Sequence, residues 1–226
     1  MKAFIVGGSS SIGVVIIRAL LDAGNEVAAT YRTAIPPGLG GAGWSRADMR
    51  SAEDIAALAG PAAGADVAVL LPGLSLGQQL GTYTDSQIDE VVEVNFSGQF
   101  RAVQRLAPVM ADPSHIIIMG SMAGHRGSAD PLYGATKGAM HALAKSLAKS
   151  LAPKTRVNVV APGMVTDTAM VDGTPRTVLD AHLAATPTGR FISADELARV
   201  VLDLMQPHWR QLNGACIDIN GGQYVR

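Results

Sequence analysis

Lys2-Ala3-Phe4-Ile5-Val6-Gly7-Gly8-Ser9-Ser10-Ser11-Ile12-Gly13 joins an apolar run to a helical pattern through a turn of small residues. Beyond it, Ile12, Val15, Ile16, Ala19, Leu20 and Ala23 share one helical face, and Gly24 can end the helix. The reading is strand, tight turn, helix. Small side chains at Gly7, Ser9, Ser10, Ser11 and Gly13 let the backbone come close to an anion, and the unpaired N–H groups at the helix start face it. The literal GxGxxG spacing is absent, so an ordinary strand-to-helix turn is the alternative for this stretch taken alone.

Further runs repeat the pattern. Glu26 to Thr30, Asp66 to Leu71, His115 to Met119, Arg156 to Val160 and Cys216 to Ile219 read as strands, with Trp44 to Ala47 as a weaker one. Runs apolar on both faces fit a parallel sheet covered by helices on each side. Between them lie amphipathic segments at Ser51 to Leu58, Thr84 to about Met110, Leu132 to Leu151 and Ser193 to Met205. Thr84 with Gln87, and Ser193 with Glu196, have capping-box spacing. This alternation predicts an α/β fold, a doubly wound parallel sheet in a three-layer sandwich, as one domain over residues 1–226. Residues 33–43 are too rich in Pro and Gly for the usual crossover helix and read as a loop. Residues 164–192 lack periodicity and are expected to form a lid over a site.

Composition narrows the function. The 226 residues carry 18 Lys plus Arg against 19 Asp plus Glu, so a net charge of −1 gives no case for nucleic acid or an anionic membrane as partner. The charge-free stretch from Val67 to Thr84 is broken by Pro72 and several glycines and does not read as a membrane span. Cys216 is the only cysteine, which excludes an internal disulfide and a cysteine-rich zinc site. No signal peptide is evident, and a soluble cytoplasmic protein is the expectation.

The chemistry gathers at the predicted strand ends. Tyr31 and Arg32 follow the second strand, where dinucleotide folds select their ribose. An Arg there favours the 2′-phosphate of NADP(H) over NAD(H), with a solvated surface arginine as the alternative. Asp48 and Met49 end the third strand and could bracket an adenine. Tyr133 and Lys137 are one helical turn apart on a shared face. A cation so placed favours phenolate and can bring a tyrosine toward acid–base work near neutral pH. Ser121 follows the strand His115 to Met119, at the carboxyl edge where such sheets bind ligands. Asn95 sits mid-helix after Val91, Val92 and Val94, where its amide competes for backbone groups. It reads either as a kink holding a water or as a simple helix defect.

Together these residues resemble the short-chain dehydrogenase/reductase family along essentially the whole chain, which implies a Rossmann-type fold. Val6 to Gly13 resembles the family's TGxxxGIG turn, with Val6 for its first threonine and Ser11 for its second glycine. Tyr133 and Lys137 resemble its YxxxK pair, Ser121 its serine, Asn95 its helix asparagine, and Pro162-Gly163 its PG loop. The tail Leu212 to Gly222 is similar to its last strand and turn. Leu70-Leu71-Pro72-Gly73 departs from its NNAG segment, so apolar packing must replace the asparagine's hydrogen bonds.

The resemblance implies roles. Tyr133 would exchange the proton with the carbonyl or hydroxyl oxygen, and Lys137 would lower the Tyr133 pKa and hold the nicotinamide ribose. Ser121 would orient the substrate oxygen, and Asn95 would hold a relay water. Gly7, Ser9, Ser10, Ser11, Ile12, Gly13, Tyr31, Arg32, Asp48, Met49, Pro72, Gly73, Pro162, Gly163 and Val165 would line the cofactor. No metal is implied, and His115, His125, His141, His182 and His208 show no metal-ligand spacing. The expected function is an NADP(H)-dependent oxidoreductase of a small carbonyl or alcohol substrate, working as a homodimer or homotetramer. A non-catalytic NADP-sensing or scaffold protein on the same fold is the rival. A nucleotide-sugar epimerase is disfavoured because the chain looks too short for an added substrate domain. Met164, Met170 and Val171 suggest apolar pocket walls, while Asp167, Asp172, Arg176, Asp180 and Arg190 are too scattered to name a partner.

Overall fold

A computed structural model describes residues 1–226. In chain order the elements are β1 (Lys2–Val6), α1 (Ser11–Asp22), β2 (Glu26–Tyr31), β3 (Gly43–Arg46), α2 (Ala52–Ala57), α3 (Ala59–Ala62), β4 (Val67–Leu70) and α4 (Asp85–Val92). A π-helical turn, Glu93–Ser97, leads into α5 (Gly98–Leu106), β5 (Ser114–Met119), α6 (Ala123–Arg126), α7 (Pro131–Ser150) and β6 (Thr155–Pro162). Then come β7 (Val165–Thr166), α8 (Ala169–Asp172), α9 (Arg176–Ala184), β8 (Ile192–Ser193), α10 (Ala194–Leu204), a 3₁₀ turn (Pro207–Trp209) and β9 (Cys216–Ile219).

Seven strands form one parallel sheet in the order β3-β2-β1-β4-β5-β6-β9. Buried apolar clusters of 25 and 22 residues lie in the chain's core, drawn from alternate positions of the strands. Phe4 and Val6 belong to one cluster and Ala3 and Ile5 to the other, so β1 is covered on both faces. That is why its sequence is apolar throughout. The strand order reverses between β1 and β4, whose last residues Val6 and Leu70 are register partners. The turns that follow them therefore leave the sheet side by side, at the switch point where doubly wound folds take their ligands.

Three expectations change in detail. The helix opening at Thr84 is interrupted by the π turn and ends at Leu106 rather than near Met110. Ala107 is still helical, but Pro108 has no N–H to donate back along the helix, which accounts for the early stop. Residues 33–43 do lack a helix, but the loop is anchored: Leu39 is buried, and its carbonyl accepts the Trp44 indole N–H at 3.1 Å. Residues 164–192 hold α8 and α9 between two short strands, with Val165 paired to Ile192 and Thr166 to Ser193. No helix is long and apolar enough to cross a membrane.

Candidate active site

The turn after β1 is built by close contacts. Gly7 has φ +77°, and its N–H donates to Thr30 Oγ1 at 2.8 Å, tying the turn to β2. A Cβ on Gly13 would lie 2.6 Å from the Gly8 carbonyl oxygen, and one on Gly8 would lie 2.8 Å from Ile17 Cδ1. Ser11 keeps a negative φ, since Asp167 is the only non-glycine residue with a positive one. Glycine is thus required at 7, 8 and 13 but not at 11, which explains why the turn survives Ser11. Ser10 caps α1, its Oγ accepting from the Gly13 N–H at 3.1 Å. The amides of Ser11 and Ile12 precede the first intrahelical bond and are the ones an anion can take, with Ser9 beside them.

Arg32 is exposed just past β2, while Tyr31 stacks edge-on with Trp44 at 6.4 Å. Asp48 is not free as expected. Arg50 holds its carboxylate through bonds of 2.6 and 2.9 Å, and this pairing brings Asp48 down to about 2. The Met49 side chain is buried in the core, so only its backbone can face a ligand. After β4, Leu70 and Leu71 are buried, supplying the apolar packing expected there. Pro72 lies against Gly7 across the switch point, and a Cβ on Gly73 would come within 3.2 Å of Lys137 Nζ.

Tyr133 and Lys137 ride on α7, which opens with Asp130 as cap and Pro131 in the first turn. The half-buried Tyr133 phenol neighbours the Ser121 hydroxyl, delivered from the end of β5. Lys137 is buried, its Nζ donating to the Met119 carbonyl at 2.8 Å and standing 5.9 Å from the Tyr133 ring centre. The electrostatics depart from the expected tuning. Burial pushes the Tyr133 pKa up, the neighbouring Ser121 hydroxyl pulls it partly back, and the Asp130 charge raises it further. Lys137 is itself pushed down to about 8 by burial. Desolvation dominates at both groups, and Lys137 is not among the charges that move the phenol.

Asn95 lies in the π turn, fully buried. Its side chain accepts from the Leu74 N–H at 2.7 Å and donates to the Leu74 carbonyl at 2.9 Å and to Thr136 Oγ1 at 3.0 Å. It therefore fixes the segment after β4 against α7. Its own carbonyl takes the Gln99 amide at 3.0 Å, which also reaches Pro72 O at 3.0 Å. Gln99 thus occupies the Asn95 backbone carbonyl. At the far side, the Pro162 carbonyl accepts from Met122 N at 2.9 Å, the Gly163 N–H donates to Ile219 O at 3.0 Å, and Val165 is buried in β7.

Asp130 is the largest omission from the sequence reading. Its carboxylate caps Tyr133 N at 3.0 Å and accepts the Tyr83 hydroxyl. It also accepts Ser75 Oγ, Leu76 N and Gly77 N at 2.8, 3.0 and 3.0 Å. One acid therefore orders both the start of α7 and the loop facing it. Asp-Pro ahead of an amphipathic run is a legible cap signal, but the loop contacts are not. Asp130→Ala removes a cap worth about 1 kcal/mol and several charged hydrogen bonds. It should destabilise the fold by ~2–3 kcal/mol and raise KM; an unchanged thermal melt would contradict this.

The remaining histidines divide. His115 is bonded to Arg156 and Asn158, and burial, with the Arg156 charge, brings it to about 3, a neutral packing role. His208 is exposed. His125 and His141 converge with Cys216, an encounter that sequence spacing did not reveal.

The sheet edge, the phosphate-type turn and the Ser–Tyr–Lys constellation define a dinucleotide-dependent oxidoreductase. A family model described as enoyl-(acyl carrier protein) reductase matches residues 6–223. The rhamnolipids biosynthesis 3-oxoacyl-[acyl-carrier-protein] reductase of Pseudomonas aeruginosa is 30% identical over 252 residues, covering 99% of this chain and 96% of its own. A dehydrogenase/reductase from Sinorhizobium meliloti 1021 superposes with TM-score 0.91 at 31% identity, covering 99% of this chain and 95% of its own. BdcA, solved in complex with NADPH, superposes with TM-score 0.89 at 25% identity, over 97% and 93% of the two chains. The chain belongs to the short-chain dehydrogenase/reductase family.

Proposed function

We propose that the protein is an NADPH-dependent reductase of a carbonyl substrate, with a 3-oxoacyl thioester as the first class to test. The observation that carries this reading is the Tyr133 phenol beside Ser121, with the buried Lys137 Nζ 5.9 Å from the ring centre. The residues fit the cofactor: a 12-residue helix opens behind a glycine cradle, and the small Gly73 leaves room for Lys137 beside it. When bound, the nicotinamide supplies the hydride for the carbonyl carbon. Ser121 donates to the carbonyl oxygen and orients it. Tyr133 passes its phenolic proton to that oxygen as charge develops, and Lys137 stabilises the phenolate left behind. Asn95, Gln99 and Thr136 hold the backbone around this relay, and residues 164–192 act as the substrate lid.

Arg32 supports the choice of NADPH, as does the NADPH complex of BdcA. A charge-assisted bond to the 2′-phosphate is worth ~1.5–3 kcal/mol. Arg32→Ala should therefore weaken NADPH about 10- to 100-fold and leave NADH unmoved; parallel titrations that find equal losses refute the assignment. Ile88 and Phe100, partly exposed on α4 and α5, fit a homo-oligomer packed through these helices. The function is tested by NADPH oxidation against a panel of 3-oxoacyl thioesters, ketones and aldehydes. Binding of NADPH without turnover across the panel would favour a sensor or scaffold instead.

A further inference from the structure

His125 on α6, His141 on α7 and Cys216 on β9 each offer one ligand atom, and these atoms all lie within 4.8 Å of one another. His125 Nε2 is 3.3 Å from Cys216 Sγ and 3.0 Å from Asp218 Oδ1. The two imidazole centres are 4.4 Å apart. Cys216 and Asp218 are two apart on β9 and so share one face of the strand. Tyr224 closes the cluster from the tail, its ring stacked on His125 at 5.1 Å and 4°.

Hydrogen bonding leaves this cluster unbalanced. The buried side-chain atoms without a hydrogen-bond partner are four in the whole chain, and His141 Nδ1 and Asp218 Oδ1 are two of them. His141 is only 5% exposed. Arg226 takes the other Asp218 oxygen at 2.8 Å, which leaves Oδ1 turned to His125. His125 Nε2 faces both a thiol and a carboxylate, and a single ring N–H can serve only one of them. Unpaired buried polar atoms are rare in native folds and call for a missing partner. Two imidazoles and a thiol brought together, with a carboxylate oxygen 3.0 Å from one of the imidazoles, describe that partner as a divalent ion of the zinc class.

We propose that His125, His141, Cys216 and Asp218 form a structural metal site that takes zinc. In tetrahedral zinc sites with bonds of roughly 2.0–2.3 Å, neighbouring donors stand ~3.3–3.7 Å apart. The separations of 3.3 and 3.0 Å at His125 Nε2 are already close to that spacing. On loading, Cys216 loses its thiol proton to solvent as the metal–sulfur bond forms, and both imidazoles bind neutral. Thiolate and carboxylate then balance the two positive charges of the ion. The site joins α6, α7 and the edge strand β9. It adjoins the catalytic constellation, for the Ser121 N–H points to His141 Nε2 at 3.4 Å. The role is architectural, since no proton transfer proposed above requires the metal.

The test is cobalt(II) titration of the metal-stripped full-length protein, with folding followed by circular dichroism. One cobalt per chain is expected, with the intense visible bands of tetrahedral cobalt and a thiolate-to-cobalt charge-transfer band. Zinc should displace it and raise the melting temperature. Cys216→Ser should abolish the charge-transfer band, and His125→Gln should weaken binding by at least about tenfold. A folded wild type that binds no cobalt, or binds it without tetrahedral and charge-transfer bands, overturns the proposal. So does a folded Cys216→Ser protein with the wild-type spectrum. Should that variant fail to fold, the wild-type spectrum still decides. NADPH oxidation by the metal-free protein does not enter the result, so the function and this site fail separately.

Discussion

Tyr133→Phe is expected to lower kcat for NADPH-dependent carbonyl reduction by about 10²–10⁴-fold, the usual worth of a positioned acid or base. NADPH affinity should not change, because the phenylalanine keeps the ring beside Lys137 and removes only the hydroxyl next to Ser121. The direction of the pKa shift adds a second readout. Burial holds the phenol protonated beyond the ordinary tyrosine range, so the acid needed for reduction is present throughout neutral pH. The reduction rate should stay level there and fall only as alkaline pH removes the proton. Alcohol oxidation, which needs the phenolate, should instead rise with pH. Stopped-flow single turnovers against pH separate these two limbs. A Tyr133→Phe enzyme with wild-type rate would remove the mechanism altogether.

Lys137→Met should stabilise the fold near neutral pH while removing activity. Burial of an ammonium is unfavourable, and the fall of Lys137 from 10.5 to about 8 measures that cost. Each unit corresponds to ~1.4 kcal/mol. Allowing ~1 kcal/mol for the lost bond to the Met119 carbonyl, the net gain is about 2 kcal/mol. That is several degrees of melting temperature for a chain of this size. The sign against pH follows from proton binding. Between about pH 8 and 10.5 the unfolded chain binds the Lys137 proton and the folded one does not, so wild-type stability from this residue rises across that window. The advantage of Lys137→Met is therefore full below pH 8 and shrinks above it. Thermal melts from pH 7 to 10 check this, and a variant less stable than wild type at pH 7 would refute it. A loss of turnover in the same variant marks a charge kept for chemistry at the expense of stability.

Much of this was legible in the chain itself. The short apolar runs placed all seven strands of the main sheet, and the capping boxes at Thr84 and Ser193 form as read. Glycine and small residues after β1 announced the tight turn, though the need for Gly8 shows only in its contact with Ile17. The disturbance at Asn95 was readable as a misfit in a helix, but its form, a π turn, was not. Asp130 could have been found as a cap, whereas its grip on Ser75, Leu76 and Gly77 depends on a loop more than fifty residues away in the chain.

The order of strands and helices, the turn at Gly7 and the one-turn spacing of Tyr133 and Lys137 depend on neighbours along the chain, and periodicity and backbone sterics are sufficient to set them. Tertiary packing alone decided how much water each group lost, and so raised Tyr133 where an adjacent cation suggested lowering it. It also decided which distant residues met, bringing His125 within 3.3 Å of Cys216, 91 positions away. Desolvation and contact at that range are set by neighbours through space, and those exist only once the sheet has closed.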